Sequence, residues 1–86
     1  MIPYDFSPTG EKELLALPVQ IQRRILRKVE FYLSAPDPLK FAKRLTETSR
    51  PTWRFQINDY RVIFEQEPGR ILITRVGHRG NIYRKL

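Results

Sequence analysis

The chain has 86 residues, the size of one small domain with a single core. It contains no cysteine and one histidine, which excludes disulfides, thiolate catalysis and metal sites built from cysteines or several histidines. The net charge is +7, and eleven of the sixteen basic residues are arginine, whose planar guanidinium matches phosphate, so we expect an anionic partner.

The first predicted element is a short strand, followed by a helix. Tyr4 and Phe6 alternate with other residue types, as in a strand. Ser7 and Pro8 then suit the N-cap and first position of a helix that we expect to end at Leu17. Acidic residues interrupt this N-terminal stretch, and no window is apolar enough for a membrane span. We therefore expect a cytoplasmic protein with no membrane partner.

A second helix is predicted after Pro18. Apolar side chains recur along it at helical spacing, and basic side chains lie on the other side. The apolar stripe is Ile21, Ile25, Val29 and Leu33, and the basic residues are Arg23, Arg24, Arg27 and Lys28. We expect the two helices to form a hairpin. The basic residues are candidates for contacts with RNA phosphates, but an ordinary solvated helix face is an equally good interpretation.

The second half of the chain predicts a three-stranded meander. The sequence PDP at 36–38 ends the helical pattern, and we expect a connecting loop with a turn of helix within 39–45. Three strands with a period of two follow, near 53–57, 60–65 and 70–76, joined by turns at 58–59 and 67–69. The predicted order is β-α-α-β-β-β, an α+β fold whose antiparallel sheet carries the helical hairpin on one face.

The other face of this predicted sheet carries polar side chains. If the aromatic residues face the helices, strand parity points Arg54, Gln56 and Arg61 away from them. Neighbouring cations repel one another unless acidic residues or an anionic ligand offset the charge. Cross-strand ion pairs from nearby carboxylates are therefore the alternative interpretation. The carboxylates available are Asp59, Glu65 and Glu67.

The segment RVGHRGNIYR, residues 75–84, gathers further reactive side chains. Gly77 and Gly80 permit close turns on either side of His78 and Arg79, and Tyr83 follows. Histidine can accept or donate a proton near neutral pH. Together with the arginines, these residues form a candidate site for phosphodiester chemistry. Carboxylates are not clustered in the sequence, which argues against a two-metal nuclease.

Residues 53–84, WRFQINDYRVIFEQEPGRILITRVGHRGNIYR, resemble the C-terminal half of the RelE/ParE superfamily of toxins. The shared features are a W-R-(aromatic or Leu)-(Arg or Lys) strand, a D/G-Y-R-V-I-Y strand and a V-G-H-R-x-x-x-Y-R ending. YDFSPTGEKELLALPVQIQRRIL also resembles the opening strand and helical hairpin of these toxins, and KRLTETSRPTWRF their approach to the second strand. The resemblance covers nearly the whole chain and implies a RelE-like toxin with a microbial RNase-like fold.

The resemblance implies an endoribonuclease that cuts mRNA in the ribosomal A site, where the 2′-hydroxyl attacks the adjacent phosphate without a metal or other cofactor. By position, Arg54 and Arg61 correspond to the residues that hold and stabilise the scissile phosphate. Arg79 corresponds to the basic residue near the end of the last main strand, and Tyr83 to the aromatic residue near the cleaved linkage. His78 stands where relatives often carry lysine or histidine, and we take it as a candidate acid or base.

The resemblance also implies partners and further contacts. We expect Gln56, Arg75, Arg84 and the basic residues of the second helix to contact RNA or the ribosome; Gln56 stands where better-known ribonucleases carry a second basic residue. A cognate antitoxin with an acidic, partly apolar segment is the implied protein partner. Two alternatives stay open: a ParE-like toxin that inhibits DNA gyrase by protein contact, and a non-catalytic RNA-binding module.

Overall fold

The structure is a computed structural model that describes residues 1–46 and 49–82. Its elements are β1 (Tyr4–Phe6), α1 (Pro8–Leu15), α2 (Val19–Leu33), a short 3₁₀ helix (Pro38–Phe41), β2 (Ala42–Leu45), β3 (Thr52–Ile57), β4 (Tyr60–Glu67) and β5 (Arg70–His78). Tyr83 and Arg84, which the sequence assigns to the candidate site, lie outside the described residues.

Local backbone chemistry sets the ends of the first helix. The Ser7 hydroxyl accepts a hydrogen bond from the Gly10 amide at 3.1 Å, and Pro8 occupies the first helical turn, as predicted. The helix ends at Leu15 rather than at Leu17. A residue before proline is disfavoured in helical conformation, so the chain leaves the helix before it reaches Pro18.

The described strands form one sheet in the order β1-β5-β4-β3-β2, and the predicted α+β class is confirmed. Two details differ from the predicted antiparallel sheet. Strand β1 runs parallel to β5, with Tyr4 opposite Ile71. The segment 39–45 is helical only as far as Phe41, after which β2 pairs antiparallel with β3. Both differences are pairings between distant segments, which local periodicity does not encode.

The core lies between α2 and one face of the sheet. Three residues of the predicted apolar stripe are fully buried, and they pack against aromatic and aliphatic residues of the central strands. The Phe55 ring lies 4.8 Å from Tyr32 and 4.6 Å from Phe64, measured between ring centroids. The principal buried residues are Leu14, Ile25, Val29, Leu33, Phe55, Val62, Phe64, Ile73 and Val76.

The N-terminal elements attach to the edge of β5 and to α2. A methyl group on Gly10 would lie 2.5 Å from the carbonyl oxygen of Ile73, so α1 contacts the strand backbone directly. The Tyr4 hydroxyl donates to Glu30 Oε2 at 2.8 Å, which links β1 to α2. Burial, together with the hydrogen bond to Glu30 and its charge, raises the pKa of Tyr4 to about 12.

Tight turns set the register of the meander. Asn58 has a φ of 54° and Gly69 a φ of 75°, the left-handed conformation that such hairpin turns use. Phe55 lies opposite Val62, and Val62 lies opposite Val76, so these residues share the face towards the helices. The intervening residues of β3 and β4 consequently lie on the opposite face.

Candidate nucleic-acid interface

Four polar side chains share the sheet face opposite the helices. Lys43 lies opposite Arg54, and Gln56 lies opposite Arg61. The β-carbons of directly opposite residues are about 4.5–5.5 Å apart, and diagonal neighbours such as Arg54 and Arg61 are roughly 7–8 Å apart. We call Lys43, Arg54, Gln56 and Arg61 the basic face. The predicted placement of Arg54, Gln56 and Arg61 on one face is confirmed by this register.

Arg61 is the most buried member of the basic face, with 8% of its surface exposed. Its Nη1 atom donates to the carbonyl oxygens of Asn58 and Tyr60, both at 3.0 Å, so the side chain folds back towards the β3–β4 turn. The Nε atom is buried and has no hydrogen-bond partner. Among the described residues no carboxylate pairs with this guanidinium. Because a buried charge without a partner is costly, the position favours a bound anion.

Three carboxylates near the basic face form ion pairs with arginines outside it. Glu65 lies 3.4 Å from Arg50, Glu67 lies 2.6 Å from Arg70, and Asp59 lies 3.7 Å from Arg79. No carboxylate in residues 1–46 and 49–82 forms an ion pair with Lys43 or Arg61. The cross-strand ion pairs considered from the sequence therefore do not involve these two cations.

Arg75, expected to contact RNA, pairs with α1 instead. Its Nε donates to Glu13 Oε1 at 3.0 Å and its Nη2 to Oε2 at 3.1 Å, and 14% of the side chain is exposed. The same carboxylate accepts a hydrogen bond from the Val76 amide at 3.0 Å. This amide lies at the edge of β5, beyond the residues that pair with β1, so Glu13 supplies its acceptor. This arrangement attaches α1 to β5, and a contact between Arg75 and RNA stays a prediction.

His78 lies on the opposite side of the sheet from Arg61. Ile63 pairs with Arg75 and Phe64 pairs with Ile73, so β5 contains one extra residue, Thr74, at this point. This β-bulge reverses which side chains of β5 face the helices after Thr74. His78 consequently faces Tyr60, with 5.7 Å between ring centroids in an edge-on contact. Its Nδ1 accepts the Gly80 amide at 3.1 Å. The structure does not bring His78 together with the basic face, and its catalytic role stays a prediction.

The segment after β5 turns back over the end of the sheet. The Arg79 amide donates to the Asp59 carbonyl at 2.7 Å, and the Arg79 side chain is exposed. Ile82 is only 2% exposed. Its side chain packs over Gly77, where an added β-carbon would lie 3.5 Å from it. Because Gly77 lies opposite Arg61, this segment covers the sheet beside that guanidinium.

The basic residues predicted on α2 are all exposed and form a second cationic surface. Arg24, Arg27 and Lys28 line a groove together with Gln20 and Phe31, and Phe31 is 60% exposed. The Lys28 amine lies 5.4 Å from the centre of the Phe31 ring, within cation–π range. Arg23 is the fourth basic residue of this α2 surface. Since the buried stripe of α2 packs on the sheet, this surface faces away from the basic face.

Lys43 is the one member of the basic face that the sequence analysis missed. The sequence predicts a loop with a turn of helix for this segment, and in such a segment the direction of Lys43 has no defined relation to Arg54. The available signal was the run from Ala42 to Leu45, in which basic residues stand between small and apolar ones, as in a short edge strand. Four residues are too few to establish a period of two.

Two further features bear on the type of protein. No helix in the described residues is long and apolar enough to cross a membrane. Within the same part of the chain, no three His, Asp or Glu side chains come together in a group that could hold a metal ion.

Comparison with known proteins identifies the family. A family model described as "ParE toxin of type II toxin-antitoxin system, parDE" matches residues 4–83. No curated protein matches the sequence.

Three solved structures of toxin–antitoxin complexes share the fold. The RelBE2 complex of Mycobacterium tuberculosis has 24% identity and a TM-score of 0.74, covering 91% of this chain and 98% of that one. The RelB–RelE complex of Methanococcus jannaschii has 24% identity and a TM-score of 0.72, with coverage of 94% and 96%. The archaeal RelE–RelB complex of Pyrococcus horikoshii has 28% identity and a TM-score of 0.69, with coverage of 94% and 99%. The chain therefore belongs to the ParE toxin family of type II toxin–antitoxin systems, within the RelE/ParE superfamily.

Proposed function

We propose that this toxin is a ribosome-dependent endoribonuclease that cleaves mRNA in the ribosomal A site. The observation that carries the proposal is Arg61, a nearly buried guanidinium that pairs with no carboxylate of residues 1–46 and 49–82 and whose Nε has no hydrogen-bond partner. It lies on the same sheet face as Arg54 and Lys43. Such a site lacks an anion, and a phosphodiester would supply one.

The reaction we propose is an internal transfer within the RNA. The 2′-oxygen of one nucleotide forms a bond to the adjacent phosphorus while the bond from phosphorus to the 5′-oxygen of the next nucleotide breaks. The products are a 2′,3′-cyclic phosphate and a 5′-hydroxyl, and the 2′-hydroxyl proton ultimately balances the leaving oxygen. Arg54 and Arg61 stabilise the charge that develops on the phosphorane oxygens. Arg79, His78 and Tyr83 retain their sequence-based assignments as candidates for charge stabilisation and proton transfer.

The cations of α2 fit the ribosome part of the proposal. They are exposed, face away from the basic face, and pair with no carboxylate of the described residues. A protein lodged in the A site is surrounded by ribosomal RNA, so a toxin that holds mRNA on one side needs a second phosphate-binding surface on another. Arg23, Arg24, Arg27 and Lys28 are proposed to serve as that surface.

The protein partner we propose is a cognate antitoxin. The three solved relatives described above are complexes of RelE proteins with RelB proteins. With a net charge of +7, this toxin would be bound most readily by an acidic segment that also carries apolar side chains.

A second candidate function is inhibition of DNA gyrase by direct contact. It is favoured by the description of the matching family, which names the ParE toxin. In that case the basic face need not bind RNA, and substitutions there would leave toxicity unchanged.

The test is to map mRNA 5′ ends in a translation extract that receives the purified toxin. We expect new ends within the translated region when ribosomes are active, and none when initiation is blocked. A parallel DNA supercoiling assay with gyrase completes the design. Cleavage without ribosomes, or loss of supercoiling without any cleavage, would contradict the proposal.

A further inference from the structure

We propose that the β3–β4 turn positions two arginines of the proposed reaction, and that Asp59 is the positioning residue for Arg79. The inference rests on the proposed function, in which Arg61 stabilises the phosphorane and Arg79 is a candidate for the same task. It gives a role to a carboxylate that the sequence analysis considered only as a partner for cations of the basic face.

Three consecutive carbonyl oxygens at the β3–β4 turn accept hydrogen bonds from these two arginines. Arg61 Nη1 donates to the oxygens of Asn58 and Tyr60, both at 3.0 Å. The oxygen of Asp59, which lies between them in the chain, accepts the Arg79 amide at 2.7 Å. One short stretch of backbone therefore holds the guanidinium of Arg61 and the main chain of Arg79.

The bond to Arg79 continues the pairing of β4 with β5 by one step. The two strands pair as far as Tyr60 and His78. The next residues outward, Asp59 and Arg79, are joined by the bond from amide to carbonyl. Arg79 is two positions from the residue opposite Arg61, and the α-carbons of such diagonal neighbours are roughly 7–8 Å apart. Two long side chains that begin at this separation can reach one phosphate if both are held in the right direction.

The Asp59 side chain supplies a direction for the Arg79 guanidinium. Asp59 Oδ1 lies 3.7 Å from Arg79 Nε, and both side chains are 63% exposed. A contact at Nε does not use the two terminal nitrogens of the guanidinium, and these nitrogens can contact a phosphate. Asp59 is therefore suited to orient Arg79 without taking the place of the RNA.

Arg79 needs such support because it follows the end of β5. The strand ends at His78, and the chain then turns, since the Asn81 amide donates to the His78 carbonyl at 2.9 Å. An exposed arginine in a turn has many rotamers. Restricting them before the reaction lowers the barrier, because less side-chain entropy is lost in the transition state.

The experiment is a double-mutant cycle between Asp59→Asn and Arg79→Ala, with Asp59→Glu as the conservative variant and Asp37→Asn as the charge control. Asparagine keeps the size of aspartate and the main-chain carbonyl but removes the charge. Asp37 is exposed and its side chain forms no capping hydrogen bond, so its substitution changes the net charge equally, away from the turn. The measurements are kcat and KM for cleavage on programmed ribosomes, and the NMR order parameter of the Arg79 Nε–H group.

For Asp59→Asn we expect kcat to fall roughly two- to fivefold, the range for loss of one exposed ion pair, while KM does not rise because the protein becomes more cationic. The order parameter of Arg79 Nε–H should fall as well. In the Arg79→Ala background, Asp59→Asn should lower kcat no further, because Asp59 acts through Arg79. Asp59→Glu should restore kcat, and Asp37→Asn should keep the parental kcat.

The outcomes distinguish this inference from the proposed function. If the parent protein cleaves on ribosomes but Asp59→Asn keeps the parental kcat, or lowers it equally in the Arg79→Ala background, the positioning role is wrong and the proposed function stands. A parental kcat in Arg79→Ala would also overturn the inference.

If the parent protein cleaves nothing, the proposed function fails and the order parameter decides the inference. An Arg79 side chain that is equally mobile in the parent protein and in Asp59→Asn would overturn it. A loss of order in Asp59→Asn but not in Asp37→Asn would show that Asp59 holds the guanidinium.

Discussion

Arg61 combines two roles that are usually separate. Its Nη1 holds two carbonyl oxygens of the β3–β4 turn, and its buried Nε is left without a partner. The first role stabilises the hairpin, and the second is the basis of the proposed contact with phosphate. A substitution therefore changes both the fold and the reaction, and the two effects must be measured separately.

We expect Arg61→Ala to slow single-turnover cleavage roughly a hundredfold, since loss of one charge-stabilising group costs about 3 kcal/mol in the barrier. The free energy of unfolding should also fall, by about 1–3 kcal/mol, because two carbonyl groups lose their donor. Urea unfolding gives the second value, and ribosome binding should persist. Arg70→Ala, at the opposite end of β5, is the matched control and should keep the parental cleavage rate. A folded Arg61→Ala protein with parental cleavage would remove Arg61 from the reaction.

The role of His78 can be tested by the pH dependence of the single-turnover cleavage rate. If His78 transfers a proton, we expect His78→Gln to lose roughly 10²–10⁴-fold in single-turnover rate together with one limb of the profile. The geometry also offers a purely structural role, because Nδ1 accepts the Gly80 amide at the turn that carries Arg79. A His78→Gln protein with the parental profile and rate would assign His78 to that turn.

At the level of elements, α1 is attached to the sheet by close contacts, and at Gly10 there is no room for a larger side chain. The helix approaches β5 at Gly10, and Glu13 then binds Arg75 and the Val76 amide on the same strand. The helix therefore continues the edge of the sheet where β1 ends, and it satisfies a backbone donor that would otherwise lack a partner.

Gly10→Ala tests this attachment. The added methyl group would meet the Ile73 carbonyl oxygen at 2.5 Å, and that atom belongs to the strand backbone and cannot move aside easily. We expect a loss of about 1–3 kcal/mol in the free energy of unfolding, measured with urea. Gly77→Ala is the control, since its methyl group would meet Ile82 at an ordinary 3.5 Å. Equal stability of the two variants would show that α1 can shift along β5 at little cost.

For the whole molecule, the charge separates into two cationic surfaces on opposite sides of one core. The basic face lies on β2, β3 and β4, and the α2 surface lies on the outer side of the helical layer. The molecule measures 29 × 28 × 22 Å. These dimensions exceed the Debye length of about 8 Å at physiological salt, so we expect the two surfaces to bind their proposed ligands independently.

We expect the double variant Arg24→Gln, Arg27→Gln to weaken ribosome association and to make its salt slope shallower by roughly 1–2, while cleavage by ribosome-bound toxin stays unchanged. The double variant Lys12→Gln, Arg70→Gln removes the same charge elsewhere and should match the parent protein. Association can be measured by co-sedimentation with ribosomes at several salt concentrations. Parental association in the α2 variant would identify those arginines as an ordinary solvated helix face.

The sequence by itself determined most of the local structure and the family. Capping at Ser7, the stripe ending at Leu33 and the turn at Asn58 are each encoded within a few residues, because caps, helical periods and tight turns depend on neighbours in the chain. Strand parity was also sufficient to place Arg54 and Arg61 on one face. The motifs of residues 53–84 resembled the superfamily to which the chain belongs.

Only the tertiary structure decided which functional groups meet. Lys43 joins the basic face because β2 pairs with β3, and Arg75 forms an ion pair with Glu13 of α1. His78 would have shared the face of Arg61 if β5 alternated without interruption, but the extra residue Thr74 turns it to the other side. The first two outcomes depend on pairing between distant segments, and the third on a one-residue shift of register that turns every later side chain of the strand to the opposite face. Local periodicity in the sequence encodes neither effect.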